Sequence, residues 1–187
     1  MAQNSNRRYR PLILALSNEV NRIQNLKHLS IFNNSIRELP HLKQSSLETL
    51  NCANNKLDCI PAGISTSKLR ILDFSINRIK DVPRGVCSVT SLRCLYLSDN
   101  DLVTIPSQIG ALELLEILSL RDNKITFIPP TIGRLSRLNT LLLQGNKLQF
   151  VPKELGSFSR FLFAKTLKLR KIELTRYFFG LLQRRVV

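Results

Sequence analysis

Four cysteines, two histidines and a few aspartates are the residues that could do chemistry in this 187-residue chain. Cys52, Cys59, Cys87 and Cys94 form no C-x-x-C pair, and neither His28 nor His41 has a cysteine close in sequence, so no zinc site is predicted. A nucleophile needs a base and a group that orients the base. His28 stands beside Lys27 and His41 follows Pro40; both read as solvated surface histidines. Asp73, Asp99, Asp101 and Asp122 are scattered. Asp99 and Asp122 do share one repeat position, but Arg121 intervenes and no base or metal set accompanies them, unlike the paired carboxylates of a hydrolase. Neither G-x-x-x-x-G-K-[ST] nor G-x-G-x-x-G occurs. The residues point away from an enzyme, a cofactor, a metal and a small-molecule substrate. Cys52 reads as a small core hydrophobe, and Cys94 as the most exposed thiol.

What organises these residues is a repeat. Segments beginning at Leu26, Leu47, Leu69, Leu92, Leu115 and Leu138 each approximate L-x-x-L-x-L-x-x-N-x-L. Leu92, Leu95, Leu97, Asn100 and Leu102 fill the pattern completely, whereas Cys52 and Phe74 replace leucines in earlier copies. This is the leucine-rich repeat signature. Alternation of period two predicts a short strand with leucines inward. Asn34, Asn55, Asn77, Asn100, Asn123 and Asn146 are expected to satisfy backbone groups from one repeat to the next. Pro40, Pro61, Pro83, Pro106, Pro129 and Pro152 then end each strand side. The predicted fold is an α/β solenoid. A curved parallel sheet forms its concave face, and short helical or 3-10 segments form its convex face.

Three regions follow. Residues 1–25 hold Leu12, Ile13, Leu14, Leu16, Val20 and Ile23, whose spacing predicts a cap helix from Pro11 to Ile23. A degraded extra repeat is the alternative. Residues 26–156 are the six repeats. In residues 157–187 the asparagine position meets Leu169 and the last apolar position meets Lys171, so a divergent cap or tail is expected.

With catalysis set aside, the outward strand positions and adjacent turns supply the candidate binding surface. It comprises His28, Phe32, Asn51, Asp73, Tyr96, Ser98, Asp99, Ser119, Arg121, Asp122, Leu142 and Gln144. Exposed aromatics beside polar groups are what protein interfaces use.

The net charge is +15. Residues 26–150 carry 15 basic and 10 acidic residues, and the excess is densest towards the C-terminus. No base-reading constellation appears, so nucleic acid is disfavoured. Basic residues near Phe178 and Phe179 suit an anionic membrane surface or retention in a large assembly, the alternative reading of function. No stretch reads as a secretory signal or a membrane span, which predicts a cytoplasmic monomer in a reducing compartment.

The strings Leu95-Tyr96-Leu97-Ser98-Asp99-Asn100-Asp101, Ile117-Leu118-Ser119-Leu120-Arg121-Asp122-Asn123 and Leu143-Gln144-Gly145-Asn146-Lys147-Leu148 are more specific. Together with Phe32-Asn33-Asn34-Ser35-Ile36-Arg37-Glu38-Leu39-Pro40, they resemble the Ras suppressor family of short cytoplasmic leucine-rich repeat proteins, over about residues 26–156. The resemblance implies a non-enzymatic adaptor. It would bind a LIM-domain protein of the integrin-linked kinase, PINCH and parvin complex at cell–matrix adhesions and dampen Ras signalling. The chain departs from that family in having no tryptophan and in abandoning the pattern after Gly156, as a truncated or spliced relative would.

Overall fold

The inward leucines of each repeat build a three-residue strand: β1 (His28–Ser30), β2 (Thr49–Asn51), β3 (Ile71–Asp73), β4 (Cys94–Tyr96), β5 (Ile117–Ser119) and β6 (Thr140–Leu142). The computed structural model describes residues 12–43, 45–61, 63–64, 68–149 and 152–157. The strands pair in chain order as one six-stranded parallel sheet, leucine beside leucine from Leu29 to Leu141. Every repeat must carry the chain back to the same edge before the next strand starts, so the pairing is parallel. Leu50, Leu72, Leu95 and Leu118 have no exposed surface, and one apolar cluster runs from Val20 to Leu155.

The return path is tightened by proline. Arg84–Cys87 forms a single α turn, and Ser107–Ala111, Pro130–Arg134 and Lys153–Ser157 form 3-10 turns. The carbonyls of Pro83, Pro106, Pro129 and Pro152 accept the N–H groups of Val86, Ile109, Ile132 and Leu155. Proline fits this place because its φ is pre-set and the N–H it lacks would have no helical partner there. The outer wall also stacks closely: a Cβ on Gly110 would lie 2.6 Å from the Thr131 carbonyl oxygen.

The asparagines join the repeats as expected. Asn55 Oδ1 accepts from Ile36 N–H at 3.0 Å, while its Nδ2 donates to Ile31 of the preceding repeat and to Cys52 of its own. Asn77, Asn100, Asn123 and Asn146 repeat the arrangement.

The residue before each asparagine has a positive φ: Asn33, Asn54, Ile76, Asp99, Asp122 and Gly145. Asn, Asp and Gly tolerate this left-handed conformation, whereas a β-branched residue does not. Ile76, at φ 56° and half exposed, is the exception. Ile76→Asn is expected to stabilise the protein by about 1 kcal/mol, because the strain goes and little burial is lost. A urea midpoint unchanged or lowered in this variant would contradict the strain argument.

The cap helix expected from Pro11 to Ile23 is not what forms. Only Asn18–Arg22 is helical, as a 3-10 turn, and residues 12–17 are not helical. Ile13 N–H donates to Asn34 Oδ1 at 2.9 Å, and its carbonyl accepts from Ser35 N–H. Ile36 makes the same two bonds with Asn55 and Lys56. Ser17 occupies the proline position, its carbonyl accepting from Val20 N–H and its hydroxyl from Glu19 N–H. Residues 12–23 are thus the return half of another repeat, the alternative reading. A helix there would leave Asn34 without its backbone donor. The divergent segment 158–187 lies outside the described residues.

Candidate functional site

Strand register turns the outward residues into two columns on the concave face. One runs His28, Thr49, Ile71, Cys94, Ile117, Thr140; the other runs Ser30, Asn51, Asp73, Tyr96, Ser119, Leu142. A third row follows the strands: Phe32, Ala53, Ser75, Ser98, Arg121, Gln144. There the carbonyls from Ala53 to Gln144 accept N–H groups from the preceding repeats. Adjacent rungs of such a sheet lie about 4.8 Å apart, so these side chains form one continuous surface.

The candidate residues differ in what they offer. Phe32 is 57% exposed and His28 and Arg121 are exposed, while Tyr96, Leu142 and Gln144 are half-buried. Asn51 and Asp73 turn a side-chain oxygen back to the N–H groups of Ala53 and Ser75, at 3.0 and 2.9 Å. Ser119 is buried, its hydroxyl 2.6 Å from that of Ser98, so it forms part of the floor of the surface. Asp99 and Asp122, expected on the binding face, occupy the left-handed turn beyond the strands. Their recurrence reflects backbone conformation, and Asp122 is held by Arg121 Nε at 2.6 Å. A Cβ on Gly145 would strike Asp122 Oδ1, which is why glycine ends that row.

Sequence reasoning passed over the apolar centre of the first column. Ile71, Cys94 and Ile117 lie side by side with Tyr96 adjacent. The available signal was the recurrence of apolar residues at an outward position. Burial raises the Tyr96 phenol above its ordinary value, and the Cys94 thiol and the Asp73 carboxylate add to the shift. The phenol therefore stays protonated and able to donate a hydrogen bond at neutral pH.

The thiols sort differently from expectation: Cys59 is the exposed one, Cys94 is half-buried, and Cys52 and Cys87 are buried. Burial pushes the Cys52 thiol up, with Asp73 contributing, and pushes Cys87 up to about 11 from an ordinary value of 9.0. A thiol reagent at pH 8 should label Cys59 first, with Cys52 and Cys87 reacting only at the rate of unfolding. Equal labelling of all four thiols would contradict the buried placements. Because folding raises the Cys87 value, its contribution to stability is intact below pH 9 and is lost as pH rises towards about 11.

The His41 ring lies over Gly63, where a Cβ would come within 2.5 Å of Nδ1. Among the described residues no three of His, Cys, Asp and Glu gather as metal ligands, and no helix is long and apolar enough to cross a membrane.

Comparison with known proteins agrees with this geometry. The family described as a leucine-rich repeat region matches residues 45–171, and a two-copy leucine-rich repeat family matches residues 24–64. The chain belongs to the leucine-rich repeat family. A leucine-rich repeat protein of Leptospira interrogans shares 32% identity and a TM-score of 0.77, over 81% of this chain and 39% of that one. The leucine-rich repeat domain of a type III effector shares 27% identity and a TM-score of 0.67, over 76% of this chain and 52% of that one. An internalin of Listeria monocytogenes, at 24% identity and a TM-score of 0.61, shares the fold over 76% of this chain and 48% of that one. The chain thus spans about half or less of these structures' lengths. No curated protein sequence matches it. Leucine-rich repeat domains generally mediate contacts between proteins, and the fold is typically a scaffold for interaction.

Proposed function

We propose that this leucine-rich repeat protein is a non-enzymatic adaptor that binds a protein partner across its concave face. The observation that carries the reading is the in-register apolar strip Ile71, Cys94 and Ile117 beside Tyr96, with the Asp73 carboxylate on the rung next to Tyr96. An apolar centre with an aromatic anchor and a charged rim is the anatomy of a protein interface. Interior packing does not require Tyr96 or Phe32 to face outward.

The finer reading takes a LIM-domain protein of the integrin-linked kinase complex as the partner, with a cytoplasmic role at cell–matrix adhesions and in Ras signalling. It rests on the resemblance of the Tyr96 to Leu148 strings to the Ras suppressor family. A binding assay against LIM domains of the PINCH family tests both levels. Tyr96→Ala and Arg121→Glu are expected to weaken binding about tenfold or more, and Gln108→Ala on the outer wall is expected to leave it unchanged. Absence of LIM binding by a chain folded by circular dichroism would remove the finer reading. Binding weakened by the outer-wall variant but not by the concave variants would remove the concave-face reading as well.

A further inference from the structure

Asp73 carries a charge that its structural duty does not require. Its Oδ1 accepts the N–H of Ser75 at 2.9 Å, and one rung away Asn51 Oδ1 accepts the N–H of Ala53 in the same way at 3.0 Å. That bond needs a side-chain oxygen and no charge, so a neutral asparagine serves it equally. Asp99 repeats the point among the residues that precede the asparagines. There the left-handed φ is met by Asn33 and Asn54 in other repeats and by Gly145 in the last. Asp122, at the same place one repeat on, is held by Arg121 at 2.6 Å. Among the described residues, neither Asp73 nor Asp99 makes an ion pair within 4.0 Å.

The two carboxylates belong to one patch on neighbouring rungs. Register sets Ile71 beside Cys94 and Asp73 beside Tyr96, and the N–H groups of Ile76 and Asn77 donate to the carbonyls of Ser98 and Asp99. Ile71 and Ile76, at its two margins, are 37% and 51% exposed. In a chain with 28 Lys and Arg, the concave rows and the turn positions beside them hold no lysine, and their arginine is Arg121, paired with Asp122. Cations flank the face instead. The row just ahead of the strands holds Lys27, Arg70 and Arg93 with Glu48 and Glu116, and the row after the asparagines holds Lys56, Arg78, Lys124 and Lys147 with Asp101. Part of that charge is paired: Lys27 lies 3.7 Å from Glu48, Arg93 2.6 Å from Glu116 and Lys124 2.6 Å from Asp101.

We propose that this patch takes an arginine side chain from a segment of the partner protein, seated against the Tyr96 ring and donating to Asp73, with apolar neighbours of that arginine on Ile71 and Ile76. A guanidinium is planar and weakly hydrated, so it stacks on an aromatic ring while its N–H groups reach a carboxylate beside the ring. Asp99 adds attraction from the next rung. The flanking cationic rows fix the register, because a segment shifted to either side brings its arginine against like charge. The inference rests on the concave-face reading and names the chemistry of the partner.

Selection of a phage-displayed random dodecapeptide library on the full chain, with counter-selection on Tyr96→Ala, tests it. Peptides kept by the parent chain and lost by Tyr96→Ala are expected to carry an arginine flanked by apolar residues. Replacing that arginine by citrulline, its neutral isostere, and Asp73→Asn in the protein should each weaken binding about tenfold. The two changes together should cost little more than either, because both remove one contact. Asp73→Asn keeps an oxygen for the Ser75 N–H, as Asn51 does for Ala53, so the fold stays intact, which circular dichroism checks. Selected peptides without enrichment of arginine, or affinity unchanged by citrulline or by Asp73→Asn while Tyr96→Ala still removes binding, would overturn the inference and leave the concave-face reading standing. A selection that yields no peptide lost by Tyr96→Ala would overturn both.

Discussion

Asn100→Ala is expected to destabilise the protein by about 3–5 kcal/mol, from two or more buried groups losing their partners at about 1–3 kcal/mol each. Asn100 Oδ1 accepts from Ile79 N–H at 2.9 Å, and Nδ2 donates to the carbonyls of Phe74 at 2.9 Å, Leu97 at 3.2 Å and Ser98 at 3.1 Å. Ile79, Phe74 and Leu97 have no exposed surface, so water does not replace the lost amide. Asn34 supplies the control. Its Oδ1 keeps one bridge, to Ile13 N–H, but among the described residues its Nδ2 donates only within its own repeat, to Ile31 and Phe32, and both Ile13 and Phe32 are exposed, so water replaces part of what is lost. Asn34→Ala should cost about 1 kcal/mol. Urea denaturation of both variants decides the matter: equal losses would refute the view that the buried Nδ2 bond to the preceding repeat, which Asn100 makes and Asn34 lacks among the described residues, gives the asparagine its weight.

Phe74→Ala is expected to cost a similar amount, about 3–5 kcal/mol. Phe74 is fully buried in the column that runs Cys52, Phe74, Leu97, and it is the largest fully buried side chain among the described residues. Its large ring stands one rung from the small Cys52, so a large residue beside a small one keeps the core filled. Cys52→Leu alone should overpack and lose about 1–3 kcal/mol. Combined with Phe74→Leu it should lose clearly less than the two single changes added together, because the pair shares one space. Strict additivity in thermal or urea unfolding would show that the two positions do not exchange volume.

Much of the architecture was legible in the residues. Leucines at fixed intervals of 21 to 23 residues set the number of strands, their order, the inward face and the proline at each turn. Such features are local and repeat, so each copy corroborates the others. The asparagine role was legible for the same reason: an amide recurring among leucines must serve backbone groups.

Other features were decided only by the packed structure, because they depend on partners about 20 residues away. The helical spacing of Leu12 to Ile23 was real, but Asn34 draws Ile13 into a bridge between repeats and only a 3-10 turn forms. Asp99 and Asp122 share one repeat position in sequence, and their positive φ makes them turn residues, a property that residue type alone does not reveal. The apolar strip of Ile71, Cys94 and Ile117 and the burial of Ser119 emerge only when six rungs are laid in register. Arg70 is the sharpest case. Its sequence neighbours are unremarkable, and among the described residues it has no carboxylate within 4.0 Å, Glu48 turning to Lys27 and Glu116 to Arg93. Sequence determines which charges stand on the row; three-dimensional pairing, in which each side chain reaches one neighbour and forgoes the other, determines which of them is left over.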